Sequence, residues 1–292
     1  MTAKTTLLMR SRENRERVER YYTATLRDYA QVWYGEEDNA LHLGHYDRAR
    51  EHHDSLRRTN ELVASLASFS IDSTVLDAGC GIGGSSVWLA RTYGCRVIAA
   101  NIVFDQLFQT KANAAKAKVT SSVQPICQDF HALGFVDNAF DVVWAIESCV
   151  HARSLSALFA EFFRVVRRSG YVVLADFTLA DDLRATTRIA QRLATLRRGW
   201  ALSSLVKTST LQARMRHAGL VPMDVRDNTA LVTPSITRLG QLARAAAPTI
   251  REWRPVDTSS SVRAANIEAA MAVDNLVREG IVRYSLIAAR KA

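Results

Sequence analysis

Apolar and polar positions divide the chain into an amphipathic helical start and a longer stretch where short apolar runs alternate with helical patterns. Val18, Tyr22, Leu26, Tyr29 and Trp33 recur at steps of three or four and predict one face of a helix. Ser11 can cap that helix, and Glu13 and Glu16 each stand four residues before an arginine, Arg17 and Arg20. Its first two turns are almost wholly charged, so this end is expected to project into solvent or onto a neighbouring subunit. Residues 48–69 carry a second helical pattern. Beyond them, strands are predicted at 74–77, 96–100, 122–127, 140–146, 171–177, 222–227 and 281–289, with helices at 85–92, 104–117, 155–167 and 210–218.

Runs such as Val142-Val143-Trp144-Ala145-Ile146 suit a sheet covered on both faces. The alternation therefore predicts an α/β, Rossmann-like fold: a seven-stranded, mostly parallel sheet with helices on both faces. Two stretches, about 180–209 and 234–280, interrupt it as helical insertions, placed to form a lid over the strand ends where ligands bind. Residues 1–70 read as an N-terminal helical extension or cap, and residues 71–292 as the main domain.

The chemistry begins where the first strand ends on Asp77 and runs into Gly79, Cys80, Gly81, Gly83 and Gly84 before a helix opens. Glycines there let a small molecule rest against the backbone, beside the free N–H groups of the helix start. The spacing D-x-G-x-G-x-G differs from the dinucleotide fingerprint G-x-G-x-x-G, which lacks the preceding acid. It resembles motif I of class I S-adenosylmethionine-dependent methyltransferases.

The likeness extends from Tyr22 to about Phe177. There the chain resembles the sterol and tocopherol C-methyltransferase group, which also contains glycine/sarcosine N-methyltransferases and terpenoid C-methyltransferases. Its carriers are Tyr22-x6-Tyr29-x3-Trp33, the element Leu41-His42-Leu43-Gly44-His45-Tyr46, and Glu147-Ser148-Cys149-Val150-His151. The resemblance implies that Tyr22 and Tyr29 close over bound S-adenosylmethionine. Tyr21 points about 100° away from their stripe, so packing alone does not explain it, and its phenol is placed to bind the cofactor's methionine end.

After the second strand stands Asn101-Ile102, with Gln106 following, where dinucleotide binders carry an acid. The group's Asn variant implies that Asn101 and Gln106 hold the ribose or the methionine end. Asp129 and Phe130, after the third strand, match the motif that meets adenine. Glu147 and His151, four apart, would share a face if the chain turns helical there, and an acid with an imidazole can position a substrate or take its proton. Asp141 reads as structural, and the turn around Gly170 carries no functional message. The resemblance implies a hydrophobic acceptor: a prenyl or terpenoid double bond of a specialised metabolite, including a prenylated indole lactam of the teleocidin kind. A cation formed there suits Glu147 and the aromatics Tyr21, Trp33, Phe177 and Trp200. N- or O-methylation of a small amine or phenol, and cofactor binding without catalysis, remain open as other classes.

Composition narrows this further. The chain has 292 residues and is 48% hydrophobic, enough for a sizeable core. No apolar run approaches the ~20 residues of a membrane span, and no secretory signal is read at the start, so a cytoplasmic protein is expected. The net charge of +9 comes mostly from scattered arginines, only six of the 38 basic residues being lysine, and no basic block is interleaved with aromatics. Nucleic acid is therefore not the expected partner. Cys80, Cys95, Cys127 and Cys149 show no metal spacing and read as buried thiols. No metal site is expected, Asp181-Asp182 reading as a helix start. Exchange of the N-terminal helix would make a homo-oligomer.

Overall fold

The computed structural model describes residues 3–35, 37–252 and 258–292. Seven strands form one sheet: β1 (Thr74–Ala78), β2 (Arg96–Asn101), β3 (Val123–Cys127), β4 (Phe140–Ile146), β5 (Val166–Leu179), β6 (Leu220–Asp227) and β7 (Val282–Lys291). Their order is β3-β2-β1-β4-β5-β7-β6. The first five strands run parallel, and β7 returns antiparallel between β5 and β6. The sheet is thus mostly parallel, as the alternation of patterns requires. Val142, Val143, Trp144 and Ala145 are fully buried in β4, with alternate residues entering the two cores on opposite faces.

Helices α1 (Ala3–Val32) and α2 (His52–Ala64) precede the sheet, and α3 (Gly84–Tyr93), α4 (Phe104–Lys116), α5 (Leu155–Val165) and α7 (Thr208–His217) flank it. The two insertions are helical: α6 (Thr187–Gly199) lies in the first, while α8 (Thr229–Glu252) and α9 (Thr258–Arg278) build the second. Residues 253–257 of that stretch lie outside the described residues.

Several boundaries differ from the sequence reading. Ser11 lies inside α1, which starts at Ala3, and not at its first turn. The pairs on α1 are Arg12–Glu16 at 2.7 Å and Arg15–Glu19 at 2.8 Å, because Arg17 turns inward to the Leu202 carbonyl and the Ser203 hydroxyl. The charged end therefore meets its own chain, Asn14 donating to the His151 carbonyl at 3.1 Å, while nearer the other end of α1 Asp28 pairs with Arg263 of α9. α2 spans only His52–Ala64. α5 ends two residues early because β5 extends back to Val166, and Ser169, at φ 59°, takes the bend expected near Gly170.

Asp181 starts no helix; it accepts from the Ser209 amide at 2.9 Å, and α6 is capped by Thr186. Cys80, Cys95 and Cys149 are buried, whereas Cys127 is exposed at the end of the edge strand β3. Among the described residues no helix is long and apolar enough to cross a membrane, and no three His, Cys, Asp or Glu residues group as metal ligands would.

Candidate active site

The carboxyl ends of β1, β2 and β4 open into one cavity of about 150 Å3, walled on its other sides by α1, the segment 39–43 and the insertions. Part of its lining is the glycine turn. Gly79, Gly81 and Gly83 have φ of 96°, 55° and 84°, a left-handed backbone that glycine adopts without strain. A side chain at Gly79 would meet the Ser148 Cβ at 2.5 Å. Asp77, buried beneath the turn, accepts from the Ser86 hydroxyl at 2.6 Å, and burial pushes its carboxyl up to about 7 against that bond. Cys80 lines the cavity with its thiol near Thr110, and burial raises that thiol well above its ordinary range.

Asn101, Ile102 and Gln106 form the adjoining wall. Asn101 donates to the Gly81 carbonyl at 3.2 Å and to Gln106 Oε1 at 2.8 Å, so it braces the glycine turn. Gln106 is buried, and its Nε2 has no hydrogen-bond partner among the described residues. A buried unpaired amide is costly unless a ligand acceptor meets it.

Asp129 accepts from the His131 amide at 2.9 Å, from the His131 ring at 2.7 Å and from Arg153 at 3.0 Å. Burial opposes its ionisation, but those bonds and charges bring it down to about 2. It is thus ion-paired rather than free, although two carboxylate oxygens retain accepting capacity beyond these bonds. Phe130 stands beside it on the cavity wall.

Aromatic rings also line the cavity: Tyr21, Tyr22 and Tyr29 from α1, Trp33 just after it, Phe177 from β5 and Trp200 from the first insertion. Tyr21 donates to Asn266 at 3.2 Å and shares a 3.0 Å bond with Tyr29, so its phenol is held by α9 and α1. Sequence spacing identified Tyr21 as needing a polar partner but did not show Asn266.

Glu147 and His151 face this cavity but do not pair with each other. Glu147 takes φ 50°, and the chain then makes a single 3-10 turn, Cys149–His151, in place of the helix their spacing suggested. Glu147 Oε1 accepts from the Leu43 amide and from the Tyr284 hydroxyl, each at 2.8 Å. Burial raises its carboxyl to about 7, with these two donors pulling downward. His151 instead meets Tyr22 at Nε2 and the Ala201 carbonyl at Nδ1. Tyr284 was missed because it sits within the apolar run of β7 and reads there as core; only the antiparallel return of β7 beside β5 brings it to Glu147.

Residues 76–174 match the family described as "Methyltransferase domain". The chain is similar to the sarcosine/dimethylglycine N-methyltransferase of Halorhodospira halochloris, 33% identical over 57% of this chain and 60% of that one. It is also similar to the sterol 24-C-methyltransferase of Saccharomyces cerevisiae, 25% identical over 71% of this chain and 54% of that one. The chain thus spans little more than half the length of these curated relatives. The geranyl diphosphate C-methyltransferase of Streptomyces coelicolor, solved with S-adenosyl-L-homocysteine, superposes with a TM-score of 0.72 at 21% identity, over 96% of this chain and 98% of that one. Residues 76–174 thus match a methyltransferase-domain family, within a Rossmann-like fold shared with solved methyltransferases that hold S-adenosylmethionine or S-adenosylhomocysteine.

Proposed function

We propose that this chain is a methyltransferase that uses S-adenosylmethionine to methylate a carbon of a prenyl or terpenoid double bond. The observation that carries the reading is one cavity lined both by the glycine turn and by a set of aromatic rings, with Glu147 on its wall. The residues fit the cofactor: side-chain-free backbone at Gly79 and Gly81, the unpaired Gln106 amide, and the opening N–H groups of α3. Asn101, Ile102 and Gln106 would hold its ribose and methionine portions, Asp129 and Phe130 its adenine, and Tyr22 and Tyr29 would cover it. S-adenosylmethionine supplies a methyl group already electrophilic enough to react with an aligned nucleophile.

The protein's task is then alignment and exclusion of water. Positive charge developing on an alkene acceptor would face Glu147 and the rings of Trp33, Phe177 and Trp200, the groups suited to stabilise it. A prenylated indole lactam of the teleocidin kind combines such an alkene with an aromatic body that this wall can pack. N- or O-methylation is the second reading, favoured by the likeness to a sarcosine/dimethylglycine N-methyltransferase.

The test is to incubate the protein with methyl-labelled S-adenosylmethionine and an extract of prenylated metabolites, then locate the label by mass spectrometry. Label on carbon is the expected result. Label on nitrogen or oxygen selects the second reading, and failure of millimolar S-adenosylmethionine to raise the melting temperature overturns both.

A further inference from the structure

His151 is held from two sides in a way that fixes where its proton lies. Its Nδ1 is 3.1 Å from the Ala201 carbonyl, which can only accept, so Nδ1 carries the hydrogen. The neutral ring then presents a bare Nε2, 3.0 Å from the Tyr22 hydroxyl, and the phenol must donate to it. The support is built rather than incidental. Ala201 adopts φ 51°, which a residue with a side chain takes at a cost, and the following Ser203 and Ser204 amides both bind the Val150 carbonyl, at 2.7 and 2.8 Å. Asn14 closes the other side on the His151 carbonyl. The Tyr22 ring meets the imidazole edge-on, and both line the cavity.

Methylating an alkene leaves a carbocation that must release one proton to end as a neutral alkene, and the cavity wall needs a group to receive it. We propose that Tyr22 and His151 form a proton relay that takes this proton from the methylated acceptor, with the first insertion setting the ring's tautomer through the Ala201 carbonyl. The proposal rests on the methyltransfer reading given above. In the cationic acceptor, the C–H bond beside the electron-poor carbon breaks and its electron pair becomes a new π bond. The proton passes to the Tyr22 oxygen, while the phenol's own proton crosses to His151 Nε2. Tyr22 ends neutral and His151 ends as imidazolium. The proton leaves by the reverse route once product has gone.

The electrostatics suit this acceptor class. Burial and the Arg17 charge, against the upward pull of the Ala201 carbonyl, leave His151 down at about 4, a weak base. Tyr22 faces Tyr21, Tyr29 and His151, with Glu147 just after β4 and Asp176 on β5 nearby, and burial, Tyr29 and these acids raise its phenol. Such a pair stays neutral at rest. It is too weakly basic to strip an amine or a phenol, yet basic enough for a carbocation, whose adjacent C–H is a very strong acid.

The test reads nitrogen-15 resonances of the histidine rings in protein loaded with S-adenosylhomocysteine. His151 is expected with hydrogen on Nδ1 and a bare Nε2, neutral to below pH 5, and Tyr22→Phe should move the Nε2 resonance alone. A geranylated indole serves as acceptor probe: Tyr22→Phe, which keeps the ring and removes only the hydroxyl, should slow product formation at least tenfold and redirect it toward water-trapped alcohol. A hydrogen on Nε2, an unmoved Nε2 resonance, or unchanged rate and products overturns the relay while leaving methyltransfer standing. Should the parent protein not turn over the probe, the resonances decide. Should S-adenosylhomocysteine not bind, the methyltransfer reading falls and the relay with it.

Discussion

Replacing Tyr284 with phenylalanine isolates the contribution of β7 to the site. The change removes one hydroxyl from a fully buried ring and leaves the packing against Phe177 and His45 in place. Glu147 Oε1 then keeps only the Leu43 amide. A hydrogen bond to a charged group is worth about 1.5–3 kcal/mol and a neutral one about 0.5–1.5 kcal/mol. In the parent protein the Glu147 carboxyl, raised by burial to about 7 from 4.5, is held protonated in the fold while the unfolded chain has already released its proton.

The sign follows from that order. This group's contribution is fully present below about pH 4.5 and is lost as pH rises through about 7, a gap of about 2.5 pH units or roughly 3 kcal/mol at 1.36 kcal/mol per unit. Without the tyrosine hydroxyl the folded-state midpoint rises by a further ~1–2 pH units, so the loss continues into the alkaline range. Urea denaturation of parent and variant at pH 5 and pH 9 measures it. The difference between the two proteins cancels Asp77, which titrates alike in both. The variant is expected to be weaker by about 1 kcal/mol at pH 5 and by about 2–3 kcal/mol at pH 9. An equal deficit at both pH values would show that Glu147 does not depend on Tyr284 for its charge.

Three other perturbations probe the remaining walls. Gly79→Ala combines a left-handed φ with a Cβ 2.5 Å from Ser148, so it should cost about 2–4 kcal/mol in denaturant midpoint and abolish cofactor binding by calorimetry. The Asp129 carboxyl is depressed in the fold, so its contribution is present above its ordinary value near 3.8 and is lost as pH falls through about 2; Asp129→Asn should flatten the acid limb of the melting curve. Deleting residues 1–20 removes Asn14 and Arg17 from the insertion loop, and if α1 is exchanged between copies the elution volume on gel filtration will shift; an unchanged volume rejects exchange.

Much of this architecture was legible because parallel strands buried on both faces leave near-continuous apolar runs, as β1, β2 and β4 do. The glycine turn was equally plain, since few other roles need so many left-handed residues together. What local pattern could not supply was pairing between distant strands. Tyr284 looks like any core tyrosine until β7 is set antiparallel against β5. The spacing of Glu147 and His151 suggested a shared helical face, but the left-handed backbone at Glu147 ends that geometry and sends the two side chains to separate partners. Ser11 looked like a cap because its neighbours are polar, yet α1 runs on without it to Ala3. The polar run Arg167-Arg168-Ser169 disguised the first part of β5 as a loop.

Glu147 draws its two donors from residue 43 and residue 284, outside the stretch 76–174 on either side. An ideal Cβ on Gly84 would likewise fall 2.4 Å from the Asn39 carbonyl, so the segment before the sheet lies directly on the start of α3. A chimera that transplanted the central stretch alone would inherit the turn but not the walls that complete it. Engineering a new acceptor into this scaffold therefore means moving the N-terminal segment, the insertions and the last strand as a single cassette.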